Sequence, residues 1–201
     1  MIVEIMSVAF KEWKSVCDQL GRGGQTVILR KGGIAEGKEG FLWKHKQFYL
    51  FPTAYHNHRE QLKVSLPEGD AAFEKREDGK IEIRLLAKIV FSADIDDLAF
   101  AKQLADFHVW KDEVIEQRFD YSENKGIRLA LLRVYCLPEP WILEDRPAFG
   151  GCRSWLDLPN GNEEQAAQME PVLSDDEFSK QKNQLESLLQ DARVSITEFD
   201  R

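Results

Sequence analysis

Lys80 to Phe91 (KIEIRLLAKIVF) and Ile127 to Leu137 (IRLALLRVYCL) are the stretches that decide the fold. The first alternates charged and apolar residues through Arg84, then runs apolar to Phe91 with only Lys88 intervening. The second carries Leu129 to Leu132 without a polar residue. Both are rich in Ile, Val and Leu, as strands buried on both faces are. Neither approaches the roughly 20 apolar residues of a membrane-spanning helix. Two long buried strands predict a sheet core. Pro138 and Pro140 are expected to end the second strand, because proline donates no ladder hydrogen bond.

Working outward, Thr26 to Lys31 (TVILRK) is a third strand, Gly32-Gly33 a turn, and Phe41 to Trp43 and Gln47 to Phe51 two more strands, the last stopped by Pro52. Ser7 to Leu20 reads as a helix: Val8, Trp13, Val16, Cys17 and Leu20 recur near helical spacing, Ser7 caps the start and Gly21 suits a left-handed stop. His56 to Leu62 starts a short helix. Asp94 to Phe107, with Ile95, Leu98, Ala101, Leu104 and Ala105 on one face, and Lys111 to Phe119 are two further helices. Gly150-Gly151 opens a compact CRSWLDL stretch, and 160–173 is polar and aperiodic, a linker. Ser174 with Glu177 forms a capping box, and the helix that follows places Phe178, Leu185, Leu188, Leu189 and Ala192 on one side. The expected architecture is α+β: a mixed or antiparallel β-sheet core with flanking helices in a single domain over 1–159, a linker over 160–173, and a C-terminal helical appendage over 174–201.

With 43% hydrophobic and 31% charged residues in a chain of 201, a disordered tail and a collagen are excluded. Three cysteines make no secreted disulfide framework, and Met1 to Met6 lacks the basic start of a signal peptide, so a cytoplasmic location is expected. The net charge of -8 hides an asymmetry: between Gly21 and Lys63 eight Lys and Arg face three Glu. A cationic stretch inside an anionic chain suits a phosphate or another polyanion.

Several clusters carry candidate chemistry. Arg30 and Lys31 adjoin Gly32 and Gly33, whose absent side chains let amides converge on an anion. Lys44 and Lys46 extend the cationic band. Tyr55 and His56, just past Pro52, offer a ring and an imidazole. His108 and Trp110 precede Arg118. Cys152, Arg153 and Trp155 follow the Gly150-Gly151 turn and offer a thiol, an anion clamp and a stacking surface. Phosphate contacts from Arg30, Lys31, Lys44 and Lys46, stacking by Trp155 or Tyr55, and reading by Arg153 describe a nucleic-acid partner. Two other readings stay open. One is a small hydrolase or nuclease using Cys152 or His56, or Glu82-Ile83-Arg84 with Asp70 or Asp78 upstream. The other is an interaction module that self-associates or recruits a protein through the C-terminal helix. No CxxC, HExxH, Walker or dinucleotide pattern occurs, so neither a metal nor a cofactor is predicted.

LRKGGI (29–34), FYLFPTAYH (48–56), HVW (108–110) with Arg118-Phe119, LLRVYCLPEP (131–140) and FGGCRSWLDL (149–158) together resemble an uncharacterised bacterial family, domain of unknown function 1802. The resemblance implies no established active site. Because some members accompany an Mrr-type restriction endonuclease domain, it implies an accessory DNA-reading place in restriction-modification or defence.

Overall fold

The computed structural model describes residues 7–31, 41–53, 59–63, 79–121, 125–159 and 168–199. Its backbone is an α+β fold on one mixed, open sheet. The strands are β1 (Ser7–Trp13), β2 (Val27–Arg30), β3 (Gln47–Thr53), β4 (Lys80–Ile95), β5 (Ile127–Glu144), β6 (Trp155–Leu158), β7 (Glu170–Pro171) and β8 (Ile196–Glu198). The helices are α1 (Lys14–Gly21), α2 (Leu98–Gln103), α3 (Asp112–Phe119) and α4 (Asp175–Asp191). The sheet order is β2-β5-β4-β3-β1-β6, with β7 added to β5 and β8 to β4. Among the described residues only β1 and β3 pair in parallel. Among the described residues no helix is long and apolar enough to cross a membrane.

The β4–β5 ladder is the spine, running from Lys80 opposite Glu144 to Ile95 opposite Ile127. Pro138 and Pro140 do not end β5, contrary to the sequence expectation. Leu85 faces Cys136 while Ile83 faces Trp141, so Leu137 to Pro140 bulge out opposite Arg84. A bulge takes residues out of the ladder, and proline is tolerated there. Pro52 likewise lies inside β3. Pairing with β4 ends at Tyr49, and beyond it only the β1 side is laddered, an edge-like position that accepts proline.

Ser7 to Trp13 is strand, not helix; only Lys14 to Gly21 coils. The strand lies between β3 and β6 and is buried on both faces, Phe10 in one apolar cluster and Ala9 in the other. Burial on both sides erases the alternation that marks a strand, and the α1 residues Val16, Cys17 and Leu20 complete a false helical period. Phe41 to Trp43 forms no strand. Phe41 and Trp43 instead point into an aromatic nest with Phe10, Phe48 and Trp155, at centroid separations from 4.6 to 6.5 Å. The Trp155 indole fastens this segment by donating to the Leu42 carbonyl at 3.3 Å. Asp94 and Ile95 end β4, and the helix begins at Leu98, where the Asp97 carboxylate accepts the Phe100 amide at 2.8 Å.

The capping box of Ser174 and Glu177 starts α4, and Leu185 and Leu189 enter the main apolar cluster. Arg133 of β5 holds this helix, bonded to Asp175 at 2.6 Å and lying 4.7 Å from the Phe178 ring. Within the span read as a linker, Glu170 and Pro171 pair with Cys136 and Tyr135.

Candidate functional site

The sheet is open, and its β2 edge is tied to β1 by side chains rather than by a ladder. Arg30, the last residue of β2, donates from Nη2 to the Lys11 carbonyl at 3.3 Å and to Ser154 Oγ at 2.9 Å. Its guanidinium lies 4.8 Å from the centre of the Phe10 ring. Arg118, in the last turn of α3, donates from Nη1 to the Leu29 carbonyl at 2.6 Å and lies 4.0 Å over Trp110. Burial pulls its pKa from 12.5 down to about 10, with Glu12 pushing it up and Arg30 pushing it down, so it stays charged at neutral pH. Glu12 shares the inward face of β1 with Phe10 and is 1% exposed; its Oε1 accepts the Trp13 amide at 2.8 Å. The seam therefore holds two guanidiniums against one buried carboxylate. Among the described residues each guanidinium spends one nitrogen on hydrogen bonds, which leaves N–H groups for an added oxyanion.

His108 adjoins this cluster. It is 5% exposed, its Nδ1 accepts the Trp110 amide at 3.2 Å, and its Nε2 has no partner among the described residues. Burial, then Lys63 and Arg118, lower its pKa from 6.5 to about 3, so it is neutral at pH 7 with the proton on Nε2. The linkage gives a test. An unfolded chain binds a proton at His108 below pH 6.5 and the folded one does not, so stability falls as pH drops through the window from 6.5 toward 3. The slope is at most about 1.4 kcal/mol per pH unit. Urea unfolding at pH 6.5 and pH 5 should show this loss, and His108→Gln should shrink it; an unchanged loss in the variant assigns the effect elsewhere.

On the opposite face of β1, which it shares with Ala9, Lys11 donates to the Gly150 and Gly151 carbonyls at 3.2 and 3.0 Å. Burial and then the neighbouring Arg153 lower its pKa. Arg153 in turn donates to the Ala148 carbonyl at 2.7 Å. Cys152 is exposed on the same turn.

The structure thus brings Arg30, Arg118 and His108 into one neighbourhood, and Cys152 and Arg153 together beside Lys11 across β1. Trp155 lies between the two groups, with its ring packed into the aromatic nest. Lys44 and Lys46 are exposed on the segment that Trp155 fastens. Lys31, its pKa lowered by burial and then by Arg128, stands just past Arg30. Gly32, Gly33, Tyr55 and His56 lie outside the described residues. Glu82 and Arg84 pair with one another at 2.7 Å. Sequence reasoning missed Glu12 and Ser154, the two partners that define the seam. Glu12 stands two residues from Phe10, a shared face only once the segment is known to be a strand.

These features define an α+β protein with a paired-arginine seam between the ends of an open mixed sheet. The chain belongs to the family described as Domain of unknown function (DUF1802), whose model matches residues 9–184. No curated protein matches it. Two solved structures are similar: a mutant form of ZmASCH from Zymomonas mobilis, at 11% identity and a TM-score of 0.45, and ASCH from the same organism, at 12% and 0.44. Each match covers 81% of this chain and 92% of the other. Neither likeness bears on function.

Proposed function

We propose that this protein binds a polyanion, nucleic acid foremost, along a track from the Arg30–Arg118 seam to Lys44 and Lys46. The observation that carries this reading is the pairing of two partly dehydrated guanidiniums against a single carboxylate. Like charges held together are relieved by an added anion, and guanidinium forks match phosphate oxygens two at a time. The exposed lysines supply contacts that position a backbone without reading its sequence. A separate partner cuts or modifies the bound strand, the accessory place in restriction-modification that the family resemblance implies.

Binding of labelled single-stranded and duplex DNA at about 50 and about 200 mM salt tests the reading, since affinity carried by phosphate contacts falls steeply over that range. Lys44→Ala with Lys46→Ala, both on exposed coil, should weaken binding and reduce the salt slope by about one per lysine while leaving the fold intact. Absence of affinity at low salt, or affinity without a salt slope, overturns the proposal.

A further inference from the structure

A groove against the C-terminal half of β3 encloses about 1060 Å³. Its floor is apolar: Leu50, Phe51, Leu85, Leu137 and Phe149. One wall is α1. The opposite wall is the β5 bulge, where Pro138 and Pro140 stand as rigid ridges, and the turn from Pro147 to Gly150 closes one end. The volume is at the upper end of the range of about 300–1,000 Å³ typical of small-molecule sites.

The rim reverses the sign of the whole molecule. Lys14, Arg22, Lys80, Arg84 and Arg146 line the groove with Asp18, Glu82 and Asp145, in a chain where 35 acidic residues outnumber 27 basic ones. Three rim cations are already paired, Lys14 with Asp18 at 2.9 Å, Arg84 with Glu82 at 2.7 Å and Lys80 with Glu144 at 3.5 Å, and Arg146 stands exposed beside them. The geometry points to a site for a small amphiphilic anion, its aliphatic body on the leucine and proline floor and its carboxylate or phosphate head at the Arg and Lys rim. An aliphatic body suits this floor because its two rings, Phe51 and Phe149, pack edge-to-face on one another at 5.4 Å, and Leu50, Leu85, Leu137 and the prolines supply the rest of the apolar lining.

Cys136 reports on the groove, since it lines it and is exposed, whereas Cys17 is buried with its thiol pKa pushed well up by burial. In full-length protein carrying Cys152→Ser, maleimide modification of Cys136 is timed with decanoate, decyl phosphate, decanol or inorganic phosphate, each below its micelle threshold. Both anionic amphiphiles should slow modification, and decanol should need about tenfold more for equal protection, the difference one charge-assisted contact makes. The more protective head separates a carboxylate from a phosphate ligand. Arg146→Ala, at an exposed position, should raise the protecting concentration without altering the unliganded rate. Decanol protecting as well as decanoate, or neither protecting, overturns the inference, whatever the DNA experiment returns.

Discussion

Leu185→Ala is expected to lower the free energy of unfolding by about 2–5 kcal/mol, the cost of emptying a fully enclosed leucine site. Leu185 is 0% exposed and Leu189 1%, and both belong to the cluster that contains Phe10, Leu85 and Leu131. The apolar face of α4 is occupied by the chain's own core, and Thr26 Oγ1 to Gln181 at 3.0 Å adds a tie from the body of the fold. Deleting 174–201 should therefore expose the main cluster and broaden the unfolding transition, rather than release an intact domain. Urea denaturation with light scattering separates the possibilities. A cost below about 1 kcal/mol together with a changed assembly mass would return α4 to the role of partner-recruiting helix.

Arg118→Ala should cost about 2–4 kcal/mol by the same measurement, because the side chain serves three neighbours at once. Removing it leaves the Leu29 carbonyl without its charged donor, exposes the face of Trp110, and strips Glu12 of an opposing charge. The side chain is half-buried, so solvent keeps the loss below that of a fully enclosed ion pair. Arg118→Lys should recover less than half, since an ammonium supplies charge without the planar fork that lies over the indole. If the alanine variant is as stable as the parent, the seam is not a structural tie; if it also binds DNA normally, Arg118 has no part in either role.

How much of this was legible in the sequence depends on whether a signal is local. The strands around Val27, Ile89 and Leu131 announce themselves by composition, and the Ser174–Glu177 capping box needs only four residues. The first strand is hidden because both of its faces are buried, which leaves no period to detect. The prolines at 52, 138 and 140 mislead because their cost depends on whether a partner strand is present, a tertiary fact. The candidate site splits the same way. Arg30 and Arg118 stand out as cations near apolar runs, but their pairing needs β2 and α3 to converge across 88 positions. The role of Glu12 depends on the very segment misread as helix.

The parallel pairing of β1 with β3, and its flanking by β6, impose an order on synthesis. The strand holding Phe10 is made before its outer neighbour at Trp155, which lies 145 positions further along the chain. Until then one row of its amides and carbonyls has nothing to bind, while the β4–β5 hairpin can already have zipped. Until β6 is made, β1 is therefore an unpaired sheet edge of the kind that invites a foreign strand.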